Sequence, residues 1–318
     1  MDKPPPSPAR NPAPPANAMG RRSFLRASAV LATGLAALAA SLKPLLDMND
    51  FPTLQRFLQK YYKEMTPQDM ARVLKRIEDE VQQQYGLRPH VRDLKPMNGV
   101  EFVYCLNLTR CIGCRKCVHA CVAENNESRN PEIQYIRVLR LPDGSLDIDK
   151  AEHFYAPASV PEKGYFYMPV QCQQCKNPPC VKVCPVHATW QERDGITVVD
   201  YDWCIGCRYC EAACPYWARR FNFTKPSIPK ERLNLNMAYL GNRPRRQGVM
   251  EKCHFCIQRA RLGRYPACVE VCPAGARKFG NILDPGSEVS YILRSKRVFV
   301  QLKEELGTSP RFFYYFDV

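Results

Sequence analysis

Sixteen of the chain's 17 cysteines stand in four runs of four, and no other feature restricts the fold as tightly. The runs are Cys111, Cys114, Cys117 and Cys121; Cys172, Cys175, Cys180 and Cys184; Cys204, Cys207, Cys210 and Cys214; and Cys253, Cys256, Cys268 and Cys272. Each opens as C-x-x-C and closes with a three-residue gap; the first and third keep a two-residue middle gap, and the second and fourth stretch it. Three of the runs end in proline (Pro185, Pro215, Pro273), whereas Val122 follows Cys121. A proline there ends the local turn and starts the chain away from the sulfurs. Gly113 and Gly206, inside the first and third loops, let backbone N–H groups turn toward the thiolates.

The spacing selects among cysteine chemistries. A four-cysteine zinc site sets two C-x-x-C pairs a dozen or more residues apart, a gap that the first and third runs lack. A disulfide framework suits an oxidising compartment but gives no reason for four repeated runs. Three thiolates on one tight loop wrap three irons of a [4Fe–4S] cubane, and the fourth iron is reached from elsewhere. Where two such runs occur together, the last cysteine of each serves the neighbouring cluster, so the runs must pair.

Cys105, in Val103-Tyr104-Cys105-Leu106, lies outside the pattern and reads as a small buried hydrophobe on a strand. Arg115, Lys116 and Arg208 sit inside ligand loops and are candidates for tuning cluster potentials, with a solvated face as the plain alternative. His254 either hydrogen-bonds a cluster or packs. No nucleophile–base pair, phosphate loop or molybdenum ligand set is present, so the chain is not expected to be an enzyme by itself.

The formal charge of +15 counts every cysteine as neutral. Four clusters, each carrying about −2 when oxidised and ligated by thiolates, subtract about 8 charges. Residues 1–39 hold Lys3, Arg10, Arg21, Arg22 and Arg26 against Asp2. Without them the loaded chain sits near +3, roughly, and a nucleic-acid partner need not be inferred. Mean hydropathy is −0.39, and only one long apolar run occurs, near the N-terminus, so the chain does not cross a membrane after residue 43.

That run follows a Pro/Ala/Asn tract (1–20) and Gly20-Arg21-Arg22-Ser23-Phe24-Leu25-Arg26. It resembles a twin-arginine export signal over residues 1–43, with Ala37-Leu38-Ala39 as a cleavage site near 39/40. Residues 44–96 read as a helical arm. Thr66-Pro67-Gln68-Asp69 starts its main helix, Met70, Val73, Leu74, Ile77 and Val81 give the apolar stripe, and Gly86 ends it. An earlier amphipathic piece spans residues 51–62. Between the first two cysteine runs, Ile133–Leu141 and Leu146–Ile148 flank Pro142-Asp143-Gly144-Ser145, a hairpin signal. Residues 290–305 read as mixed helical, before the aromatic stretch 312–316.

From about residue 100 to 318 the chain resembles the four-cluster ferredoxin-like subunits of DMSO, polysulfide and tetrathionate reductase-type respiratory complexes. It is also similar to the ferredoxin-like subunits of a periplasmic uptake hydrogenase, of the sulfite-reduction-linked transmembrane complex and of alternative complex III. The resemblance rests on the four runs in order, on Gln171-Cys172-Gln173-Gln174-Cys175, on Cys207-Arg208-Tyr209-Cys210, and on the closing 304–310 segment. It implies an α+β fold of tandem two-cluster ferredoxin-like modules with insertions, spanning 97–318. The second and third runs (165–220) form one module, and the first and fourth (100–122 and 250–280) the other. The implied ligand sets are Cys172, Cys175, Cys180 with Cys214; Cys204, Cys207, Cys210 with Cys184; Cys111, Cys114, Cys117 with Cys272; and Cys253, Cys256, Cys268 with Cys121.

Every position being cysteine, four [4Fe–4S] clusters are expected. The implied role is electron transfer. One terminal would be a polytopic quinone-binding membrane subunit of polysulfide-reductase type, and the other a molybdopterin oxidoreductase-like subunit or multihaem cytochrome c. The alternative is an exported carrier for a hydrogenase or sulfur-oxyanion reductase without a stable quinone-subunit complex. Clusters are built inside the cell, and the twin-arginine route moves folded protein. The expected location is therefore the periplasm or outer face of a prokaryotic cytoplasmic membrane.

Overall fold

In a computed structural model the described residues are 65–295 and 299–317, with the side chain of Asp149 set aside. The signal segment and the 51–62 piece lie outside them. The helix Pro67–Tyr85 begins with a capping box: the Asp69 N–H donates to Thr66 Oγ1 (3.2 Å) and the Thr66 N–H to Asp69 Oδ2 (3.0 Å). It ends at Gly86, whose φ of 71° is the left-handed stop that glycine adopts freely. Ile77 and Val81 bury its apolar stripe against Val91, Ile228, Leu233 and Met237. The described part of the arm, residues 65–96, thus packs on the chain's own residues, and it is not helical throughout. His90–Arg92 is a strand paired in parallel with Asn236–Ala238.

Behind the cysteine loops stands a four-stranded sheet in the order Arg277–Asn281, Phe102–Asn107, Phe312–Tyr315, Phe299–Val300. Phe102–Asn107 is buried at every position because both its faces are covered. On one face Tyr104 stacks on Phe312 with ring centroids 4.5 Å apart, beside Phe279. On the other, Val103 and Cys105 pack against Val289 and Ile292 of the helix Glu288–Ser295. Cys105 is a core residue here, its thiol pushed up to about 12 by burial. The remainder of 290–305 holds the short strand Phe299–Val300 and a 3-10 turn, Glu304–Leu306.

The expected hairpin is corrected by the structure. The chain turns at 142–145, but Arg137–Pro142 pairs antiparallel with Tyr165–Val170, not with 146–148. Residues 148–150 form a 3-10 turn instead. Leu146-Asp147-Ile148 offers too short and too polar a strand, whereas Tyr165-Phe166-Tyr167-Met168-Pro169-Val170 matches all six positions and buries its last four. Short antiparallel pairs, Thr189–Gln191 with Thr197–Val199 and Arg220–Phe221 with Met250–Glu251, flank the central cysteine runs. No helix among the described residues is long and apolar enough to cross a membrane.

Candidate metal centres

Each cysteine run is folded the same way. The third residue of C-x-x-C is left-handed in all four: Gly113 (φ 72°), Gln174 (46°), Gly206 (70°) and Phe255 (54°). This twist aims backbone N–H groups at sulfur. The Gly113 N–H reaches Cys111 and the Phe255 N–H reaches Cys253; separately, beyond the third run, the Tyr216 and Ala218 N–H groups reach Cys214. Gln174 and Phe255 carry side chains in that region at a cost of about 1–2 kcal/mol each. Gln174 is held there by two bonds, donating to the Cys253 carbonyl (2.8 Å) and accepting from the Thr197 N–H (2.8 Å). Short helices then present later sulfurs: Lys116–Glu124 carries Cys117 and Cys121, while Pro179–Lys182, Tyr209–Ala212 and Ala267–Glu270 carry Cys180, Cys210 and Cys268.

The sixteen sulfurs gather in four places. Cys111, Cys114, Cys117 and Cys272 line one cavity, and Cys184, Cys204, Cys207 and Cys210 line another. Cys175 faces Cys172, Cys180 and Cys214. Cys121 faces Cys256, Cys253 and Cys268. Cys253 also faces Cys172, which puts the second of these last two groups beside the first. Cys117 faces Cys268 and Cys210 faces Cys180, so the four groups follow one another from that of Cys111 to that of Cys204. At one end Cys207 is exposed, whereas Cys121, Cys253, Cys256 and Cys268 are all buried.

The residues fit a polynuclear cluster. Among the described residues no three cysteine, histidine or carboxylate side chains converge as a single ion requires; the sulfurs of two of the groups line open space instead. Burial pushes the Cys111 and Cys175 thiols up to about 12 and Cys210 up to about 11. Side by side and unmetallated, such thiols stay protonated at neutral pH, and only bound cations make thiolates of them.

Sequence reasoning missed the polar groups nearest the sulfurs. Arg219 is buried and donates from Nη2 to Cys180 Sγ (3.0 Å) and to Thr189 Oγ1 (2.9 Å). Arg277 is buried and donates from Nη1 to Tyr104 Oη (2.9 Å) and Gln171 Oε1 (3.0 Å); Tyr104 Oη lies 3.4 Å from Cys268 Sγ. Asn125 Nδ2 lies 3.3 Å from Cys121 Sγ and 3.6 Å from Cys256 Sγ, and donates to both. Glu127 Oε1 lies 3.1 Å from Cys121 Sγ, its carboxyl pushed up to about 8 by burial. Two of the candidates chosen from sequence also line sulfur-ringed space, Arg115 that of Cys111, Cys114, Cys117 and Cys272 and Arg208 that of Cys184, Cys204, Cys207 and Cys210, and each is held by other groups as well. Arg115 lies over the Tyr155 ring and bonds the His153 carbonyl, and Arg208 lies over Phe221 and Phe223. Lys116 is exposed. His254 is buried and held neutral by desolvation and the neighbouring Lys252; Nδ1 accepts the Ile257 N–H (3.2 Å), which leaves the proton on Nε2.

Two cysteine-rich modules woven through each other, with left-handed C-x-x-C loops around sulfur-lined cavities, define a class: the dicluster iron–sulfur proteins. Family models described as 4Fe-4S dicluster domain match residues 102–188, 163–245 and 239–282. The chain is 34% identical to a selenate reductase subunit of Mesobacillus selenatarsenatis, over 92% of this chain and 96% of that one. It is 44% identical to a putative dimethyl sulfoxide reductase iron–sulfur subunit of Halobacterium salinarum, over 64% and 75% of the two chains. With an Hdr-like menaquinol oxidoreductase iron–sulfur subunit of Archaeoglobus fulgidus the identity is 43%, over 62% and 71%. The chain belongs to the family of iron–sulfur subunits of selenate-, dimethyl sulfoxide-, tetrathionate- and polysulfide-reductase type. It is an electron-transfer subunit and not a catalytic one.

Proposed function

We propose that the chain holds four [4Fe–4S] clusters and carries electrons between a quinone-reactive membrane subunit and a catalytic or cytochrome subunit. The ligand sets are Cys111, Cys114, Cys117 and Cys272; Cys253, Cys256, Cys268 and Cys121; Cys172, Cys175, Cys180 and Cys214; and Cys204, Cys207, Cys210 and Cys184. The observation that carries this reading is the gathering of sixteen sulfurs into four neighbouring groups, one of them buried throughout and another open at Cys207. Clusters bound there supply one-electron transfer. The chain's own residues fix the sulfurs in left-handed loops, donate backbone N–H groups to them and bury the Cys121, Cys253, Cys256 and Cys268 group away from water.

A quinone-linked partner is supported by the relative whose name is a menaquinol oxidoreductase subunit. A catalytic reductase partner is supported by those named as subunits of selenate and dimethyl sulfoxide reductases. Residues 1–43 are read as the twin-arginine signal, which places the loaded subunit outside the cytoplasmic membrane, held by its partners. Residues 44–96 form the arm and 97–318 the cluster domain.

Iron and acid-labile sulfide analysis of the anaerobically isolated full chain tests the count, with low-temperature EPR during stepwise reduction. About sixteen irons and four one-electron centres are expected. About four zincs per chain, or a protein that takes up no electrons, would sink the proposal.

A further inference from the structure

The third and fourth cysteine runs, one from each module, continue alike. Cys214-Pro215-Tyr216-Trp217-Ala218-Arg219 and Cys272-Pro273-Ala274-Gly275-Ala276-Arg277 both place an arginine five residues beyond the last cysteine. The two arginines land in matching positions. Arg219 bonds Cys180 at 3.0 Å and also lines the cavity ringed by Cys184, Cys204, Cys207 and Cys210. Arg277 reaches Cys268 through the Tyr104 hydroxyl and also lines the cavity ringed by Cys111, Cys114, Cys117 and Cys272. Each guanidinium therefore lies between the two sulfur groups of its own module.

Both are 2–3% exposed. A buried cation needs a counter-charge and a partner for every N–H, and leaving either unmet is costly. The strongest electrostatic neighbours of Arg219 include Cys180, Cys210 and Cys172, and those of Arg277 include Cys117, Tyr104 and Cys268; no carboxylate is among them. Among the described residues Arg219 Nη1 and Arg277 Nη2 have no hydrogen-bond partner at all. These orphaned donors sit on side chains that line the sulfur-ringed space, where anionic clusters would meet both needs.

We propose that Arg219 and Arg277 are positioning charges, each shared by the two clusters of one module and each raising both of their reduction potentials. The proposal rests on the four-cluster reading. A fixed positive charge beside a site favours the form with one more electron. Because each guanidinium borders two groups, its removal moves two centres together.

The test is an anaerobic EPR redox titration of the full chain and of its R219Q, R277Q and R219K variants. In R219Q two of the four centres are expected to become at least tenfold harder to reduce, 59 mV for a one-electron couple, while the other two hold. R277Q is expected to move the complementary pair, and R219K to restore most of the loss. A shift in one centre only, in all four, or in none overturns the proposal. If R219Q loads fewer irons, R219K decides: potentials within about threefold of the unaltered protein support the shared charge, and a tenfold drop overturns it. Failure of the four-cluster reading shows in the unaltered chain, as fewer than four titrating centres, and overturns both.

Discussion

A methyl group added at Gly206 would lie 2.2 Å from the Gly248 carbonyl oxygen, on a backbone whose φ is +70°. Neither the oxygen nor the loop has room to give. Gly113 is confined in the same way by the Tyr167 ring, 2.3 Å from the added carbon. Gly86 has the same left-handed backbone and open space around it. The pair separates conformational cost from collision. Gly86→Ala is expected to cost about 1 kcal/mol and leave iron content unchanged. Gly206→Ala is expected to displace Cys204 and Cys207 and lose about a quarter of the iron, measured by iron analysis of anaerobically purified protein. Arg219 and Arg277 show what a single residue conceals in sequence. Their repeated Cys-Pro-x-x-Ala-Arg signal is visible once sought, but an arginine is most often solvated, and only burial reveals these two as neighbours of sulfur.

At the scale of elements, legibility followed locality. The helix Pro67–Tyr85 stands where its cap, stripe and terminal glycine predict, because every one of those signals acts within a few residues. The turn at 142–145 was equally local and is present; the partner of Arg137–Pro142 was not, since Tyr165–Val170 lies beyond a long connection. Spacing within the cysteine runs marked the loops, while the left-handed turn at Gln174 depends on a bond to a carbonyl 79 residues away. The helix also makes a prediction of its own. Ile77 is 3% exposed in a small core apart from the sulfur-lined sites. Ile77→Ala is expected to remove about 2–5 kcal/mol from that packing. Amide exchange should quicken across residues 67–85 and their partner strand while iron content holds; iron loss would mean that the arm supports the cysteine loops.

Across the whole molecule, the insertions between cysteine runs are joined by one buried polar knot. Arg245 Nε and Tyr135 Oη both donate to Glu251 Oε2 (2.6 Å each), and Asn222 Nδ2 donates to Oε1 (2.9 Å). Arg245 and Glu251 side chains are 1% exposed. Removing one member strands the other's charge, so Arg245→Met is expected to cost about 3–5 kcal/mol. Adding Glu251→Leu should recover at least half of that loss, read as the midpoint of anaerobic thermal unfolding. A double variant no better than the single would show that the knot contributes through more than its charges. The interleaving of the two modules also has a consequence for synthesis. The space shared by Cys111 and Cys272 is complete only when the last run has left the ribosome, whereas the two groups built from the second and third runs are complete once residue 214 has emerged. The earliest thiols to be made are thus the last to be enclosed, and a nascent chain stalled past residue 214 but short of 253 holds two finished nests and one run with nothing to close against.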